Sequence, residues 1–247
     1  MRGVLLDLDG VLYLGDEAVP GAAETVRWLQ KEHVPHLFVT NTSSRPRAGV
    51  VEKLAGLGID VEPDEVLTPA VAALSWLRAS CPGPPALFVR EATAAEFAAL
   101  GPLRDDAETG AASVVVGDLG SGWDFATLNR AFRLLMEEPR PALVALGMTR
   151  YWRAPDGLRL DAGAFVRALE YASGAAAVVM GKPAKAFFDR ALQAVGLRTD
   201  EVVIVGDDIR ADVGGRRGGG ACGRHRRVFG AASGFVTPGG MAESTIL

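Results

Sequence analysis

Short apolar runs alternate with helix-like stretches along most of this chain. Residues 3–8 read GVLLDL, 35–39 read PHLFV and Val202–Val205 read VVIV, each a short buried strand. Between them, residues 20–31, 45–57 and 184–195 carry helical spacing, the last two closed by Gly58 and Gly196. After a brief strand at Val66–Leu67, Thr68-Pro69 reads as an N-cap with proline in the first helical position, opening a helix through Arg78. Strand alternating with helix predicts an α/β fold with a parallel, doubly wound, Rossmann-like sheet.

The sharpest break is Cys81-Pro82-Gly83-Pro84-Pro85. A second α/β series follows, with strands expected at 87–89, 113–117 and 143–146 and helices at 94–100, 125–137 and 162–172. A strand at 178–180 then leads back. Residues 1–84 and 178–247 are therefore expected to form one core, with a second α/β unit, 85–177, inserted into it. From Gly214 the text becomes GGRRGGGACGRHRRVFG, both periods vanish, and low order is expected over 214–247.

Composition removes several classes. Apolar residues make up 49% and charged residues 23%, as in an ordinary soluble globular protein. A net charge of −4 argues against nucleic acid or an anionic membrane as partner. The run Arg224-His225-Arg226-Arg227 reads as a charged tail. Two cysteines, Cys81 and Cys222, give neither a disulfide framework nor the setting of a reactive thiol, which suits the cytoplasm. No signal peptide or bilayer-spanning stretch is expected.

Asp7 and Asp9 sit two apart at the end of the first strand, so both side chains tend to one side of its carboxyl end, where open parallel sheets bind ligands. Asp207 follows another buried strand. If those strands are neighbours, three carboxylates converge, a cluster that a dication would make favourable; all-oxygen ligands suit Mg²⁺. Thr40 and Asn41 end a further strand, and Lys182 follows the strand at 178–180. A hydroxyl, an amide and an ammonium at one rim make a receptor for a phosphoryl group, and with a nucleophilic carboxylate the set suits phosphoryl transfer through an aspartyl-phosphate.

The order Asp7-Leu8-Asp9-Gly10-Val11, Thr40-Asn41, Lys182, then Gly206-Asp207-Asp208-Ile209-Arg210-Ala211-Asp212 resembles the haloacid dehalogenase superfamily of phosphatases. Arg150-Tyr151-Trp152, Leu169-Glu170-Tyr171-Ala172 and Val179-Met180-Gly181-Lys182-Pro183 look like its p-nitrophenyl-phosphatase-like branch. The resemblance implies Asp7 as nucleophile, Asp9 as general acid and then base, and Mg²⁺ held by Asp7, the Asp9 backbone carbonyl and Asp207. It gives Thr40 and Asn41 the phosphoryl oxygens. Lys182 then offsets charge on Asp7 and the phosphate. Asp212 orients Lys182 or a metal-bound water, and Asp208 supports the ligands around it. The inserted unit corresponds to an α/β cap that excludes water and selects the leaving group, and a homodimer through the cap is implied as well. The expected partner is a small phosphorylated substrate: a phosphomonoester, pyrophosphate or an N-phosphorylated amino acid. The alternative is a phosphate-binding or interaction protein that has lost turnover with its tail.

Other residues draw plainer readings. His33 and His36 are expected at the surface or a strand edge, Lys185 solvated on its helix, and Tyr151 and Trp152 in core packing. Gly117-Asp118-Leu119 and Trp123 lie where the branch carries a substrate-selecting loop. Family likeness stops after Gly214-Gly215, and an altered reading frame or a decayed C-terminus is the expectation there.

Overall fold

A computed structural model describes residues 2–154, 156–208 and 211–212; the tail expected at 214–247 lies outside the described residues. The chain begins with β1 (Gly3–Asp7), a small hairpin of β2 (Tyr13–Leu14) and β3 (Glu17–Ala18), and α1 (Ala22–Lys31). β4 (His36–Val39), α2 (Arg47–Gly56), β5 (Val66–Leu67) and α3 (Pro69–Ser80) follow. Thr68 caps α3 as expected, its hydroxyl accepting the Val71 N–H at 3.2 Å.

The second series runs β6 (Pro85–Phe88), α4 (Glu91–Ala94), β7 (Ser113–Val116), α5 (Phe125–Leu135) and β8 (Ala142–Ala145). Next come β9 (Tyr151–Ala154), β10 (Gly157–Leu160), α6 (Ala162–Ser173) and β11 (Val178–Val179). α7 (Lys185–Val195) and β12 (Val202–Val205) complete the described elements. The helix expected at 94–100 is instead the end of α4 continued by a 3-10 helix, Ala95–Leu100.

Two four-stranded sheets result among the described residues, ordered β12-β1-β4-β5 and β11-β8-β7-β6, with every pairing parallel. Alternation along β1 and β4 splits the first sheet's side chains between two layers. Leu5, Leu37 and Val39 pack with Ala73 and Leu77 of α3 and Phe187 of α7. Leu6 and Phe38 pack with Val26 and Leu29 of α1 and Val50 and Leu54 of α2. Helices on both faces make this the doubly wound core the alternation predicts.

The second sheet has the same logic. Phe88, Val114, Val116 and Leu143 face α5 and α6. Its other face supplies Val115, Val144 and Leu146 to the cluster that holds α3, so one apolar core runs from the first sheet into the second. Val178–Val179 pairs with β8, not with the first sheet. Val178–Val179 is thus the edge strand of the second sheet.

One expectation is overturned at the β9–β10 hairpin, which went unread in the sequence. Tyr151 and Trp152 are 51% and 43% exposed rather than packed in a core. The hairpin pairs only with itself among the described residues, and it leaves both rings exposed.

Candidate active site

The strand order reverses at β1: β4 lies on one side and β12 on the other. A crevice opens at such a reversal, at the carboxyl ends of the strands. The register levels the rims, with Asp7 beside Val39 and Leu6 beside Val205. Thr40 and Gly206-Asp207 therefore leave their strands next to Asp7. Asp7 shares the parity of Leu5, so it faces the side of α3 and α7, from which Lys182 enters.

Lys182 is the centre of the cluster. Its ammonium, on a side chain 2% exposed, lies 2.8 Å from Asp7 Oδ2 and 2.8 Å from Asp212 Oδ1. Asp7 Oδ1 accepts the Leu8 N–H at 2.8 Å. Carboxylate oxygens of Asp7, Asp207 and Asp212 lie within 4.8 Å of one another. Burial pushes the Asp7 carboxyl up to about 6, and the charge of Asp212 adds to this, while Lys182 and the Leu8 N–H oppose it.

Two glycines make the cluster possible. A Cβ on Gly10, which has φ +78°, would collide with the Asp207 carboxylate, and one on Gly206 would collide with that of Asp212. The chain has left room for acid groups to crowd an already acidic rim. One ammonium does not balance three carboxylates, and the donors are all oxygen, so these residues fit a hard divalent cation.

Each sequence-predicted residue has a definite place. Thr40 is buried; its hydroxyl accepts the Thr42 N–H and donates to Thr42 Oγ1, both at 3.1 Å. The Asn41 side chain binds within the chain. Its Oδ1 accepts the Lys182 N–H at 2.6 Å and its Nδ2 donates to the Lys182 carbonyl at 3.0 Å. The amide thus clamps the lysine's backbone, tying the loop of Thr40 and Asn41 to Lys182. Gly181 permits the approach, since a Cβ there would press on the Leu146 carbonyl and Asn41 Oδ1.

Asp9 is exposed, held on the tight turn in which the Leu12 N–H donates to Leu8 O and the Gly10 N–H to Tyr13 O, both at 2.8 Å. Its side chain is not one of the three clustered carboxylates. Asp208 turns its carboxylate to the Ala211 N–H at 3.3 Å, and its own N–H reaches Asp212 Oδ2 at 3.2 Å. Asp212 is buried and in contact with Lys182, whereas Asp208 bonds within the turn.

Residues outside the cluster sort as follows. Lys185 is exposed and pairs with Asp189 along α7. His33 is exposed, but His36 is not a surface residue: its side chain is 7% exposed, edge-on to Phe38 and 3.2 Å from Glu65 Oε1. It begins β4, at the opposite end from Thr40. Trp123 stacks between Phe88 and Phe165, inside the second unit. Asp118 pairs with Arg90 at 3.0 Å, and its N–H reaches Ser43 Oγ at 3.2 Å, beside the loop of Thr40 and Asn41. Sequence reading missed Tyr13, whose buried ring lies under the Lys53 ammonium and whose hydroxyl is pushed up to about 12 by burial, Asp9 and Asp7.

The chain is similar to known proteins. The family model for haloacid dehalogenase-like hydrolases matches residues 4–101, and a second, HAD-hydrolase-like model matches 179–223. Human phospholysine phosphohistidine inorganic pyrophosphate phosphatase is 40% identical over 220 residues, covering 87% of this chain and 78% of that protein. Among solved structures, p-nitrophenyl phosphatase from Archaeoglobus fulgidus aligns with a TM-score of 0.75 at 27% identity, over 86% of this chain and 80% of its own. The 4-nitrophenylphosphatase from Thermotoga maritima aligns with a TM-score of 0.77 at 25% identity, over 96% and 88%. With the acid cluster, the lysine and the doubly wound core already in place, these likenesses make the chain a member of the haloacid dehalogenase-like hydrolases, an enzyme family, on its phosphatase side.

Proposed function

We propose that this chain hydrolyses small phosphorylated molecules in a Mg²⁺-dependent reaction that passes through an aspartyl-phosphate on Asp7. Phosphomonoesters are the broad substrate class, with pyrophosphate and N-phosphorylated lysine or histidine as the narrower candidates named by its relatives. The observation that carries the reading is Lys182 held between Asp7 and Asp212 at 2.8 Å each, with Asp207 alongside.

In this reading the Asp7 carboxylate attacks phosphorus, and the P–O bond to the leaving group breaks as Asp9 gives that oxygen a proton. Asp9 then takes a proton from the water that attacks the same phosphorus, releasing orthophosphate and restoring Asp7. Lys182 offsets negative charge on Asp7 and the phosphoryl group, and Asp212 fixes the ammonium. Thr40 and the backbone N–H groups of its loop hold phosphoryl oxygens. Mg²⁺, held by Asp7, Asp207 and the Asp9 carbonyl, would neutralise charge between an anionic nucleophile and an anionic substrate.

The test is release of orthophosphate from p-nitrophenyl phosphate and from pyrophosphate. Turnover is expected with Mg²⁺, to be lost in EDTA and restored by excess Mg²⁺. Folded protein that binds orthophosphate but turns over neither substrate would point to a phosphate-binding role instead.

A further inference from the structure

The loop between β4 and α2 carries Thr40 and Asn41, yet residues 40–46 belong to no strand or helix. Backbone bonds hold only its two ends, Thr40 N–H to Leu67 O at 3.2 Å and Val50 N–H to Pro46 O at 3.1 Å, and side-chain hydrogen bonds tie what lies between. Asn41 ties it to Lys182. Its far end is tied to the inserted unit. The Thr93 hydroxyl donates to the Ser43 carbonyl at 3.0 Å, and Ser43 Oγ accepts the Asp118 N–H at 3.2 Å. Thr93 is fully buried and Ser43 nearly so. Just beyond, the Arg47 N–H at the start of α2 donates to Glu96, because Pro46 at that N-cap offers no side-chain acceptor. Three groups of the inserted unit thus grip the exit of the loop whose entrance holds the phosphoryl-binding candidates.

We propose that Thr93 is a positioning residue for phosphoryl binding: acting through the Ser43 carbonyl, it fixes the loop that carries Thr40 and Asn41. The inserted unit then sets phosphate affinity as well as covering the site. The inference rests on the phosphatase reading above. A loop held before the ligand arrives leaves no ordering cost to be met from binding; a released loop must be ordered by the phosphate itself. Substrate and transition state lose the same contact, so KM rises while kcat changes little.

Wild type and Thr93→Val, as full chains, would be titrated calorimetrically with orthophosphate in the presence of Mg²⁺, with KM and kcat for p-nitrophenyl phosphate read in parallel. Valine keeps the shape, removes the donor and leaves the buried Ser43 carbonyl unpaired. About tenfold weaker orthophosphate binding and a similar rise in KM are expected, with kcat within about twofold. Thr93→Ser should restore both. Equal orthophosphate affinity in wild type and folded Thr93→Val overturns the proposal whatever happens to the melting temperature, because a packing role moves only the latter. If the valine variant does not fold, Ser43→Ala removes the acceptor of the Asp118 N–H. About threefold weaker binding is then expected, and unchanged affinity overturns the proposal. A wild type that neither binds orthophosphate nor releases it from any substrate overturns the phosphatase reading and this inference together, whereas failure in the variants alone leaves that reading standing.

Discussion

Asp7→Asn is expected to lower turnover by on the order of 10⁴-fold or more while the chain stays folded. The amide has nearly the carboxylate's shape and can still accept the Leu8 N–H, but it cannot form the acyl phosphate. Its stability effect has a definite sign. Burial lifts the Asp7 carboxyl from 3.8 to about 6, so the folded chain binds a proton more tightly there than the unfolded chain does. Ionising Asp7 therefore opposes folding. That opposition is absent below 3.8, grows between 3.8 and about 6, and is complete above 6. Without metal, Asp7→Asn should match or exceed the stability of wild type at about pH 8, by at most on the order of 3 kcal/mol, and lose that advantage at about pH 4. Thermal melts in EDTA at the two pH values measure it. A variant that keeps its turnover, or is less stable only at high pH, would contradict the role given to Asp7.

Lys182→Met should have the largest effect on stability. The ammonium faces two carboxylates, and its side chain and that of Asp212 are each 2% exposed. Removing one partner of a buried ion cluster leaves charge without compensation, at a cost of about 3–5 kcal/mol. The loss is greatest where Asp7 is ionised, above about 6, and shrinks as acid protonates Asp7. Urea midpoints across that range report it. Turnover should fall by on the order of 10²–10³-fold as well, since a donor is lost where phosphoryl charge gathers. A variant as stable as wild type at high pH would mean that the lysine is not the group holding these acids together.

Both predictions concern residues legible in the sequence, for a physical reason. Asp7, Thr40 and Asp207 follow short apolar runs, and parallel strands put their carboxyl ends on one rim whatever the partners. Partners themselves were harder to read. Nothing local in Thr-Asn tells that the Asn41 amide closes on a backbone 141 residues away, or that Thr93 reaches Ser43 across 50 residues. Which sheet Val178–Val179 joins was not legible because a short apolar strand suits either, and it pairs with β8. Gly10 stands in the Asp7-Leu8-Asp9-Gly10-Val11 motif, but its need to be bare comes from the Asp207 carboxylate packed against it. The aromatic pair Tyr151-Trp152 looked like core material by composition; exposure on the hairpin is set by what covers it, which no local pattern encodes.

Whether these acids share one ion is measured most directly by calorimetric titration of Mg²⁺ into wild type and Asp207→Asn at neutral pH. Wild type should take one Mg²⁺ per chain, and the variant should bind it at least about tenfold more weakly, because one carboxylate ligand is gone from a site with few others. Equal affinity in the two proteins, or no Mg²⁺ binding in wild type, would contradict the shared metal centre around Asp7.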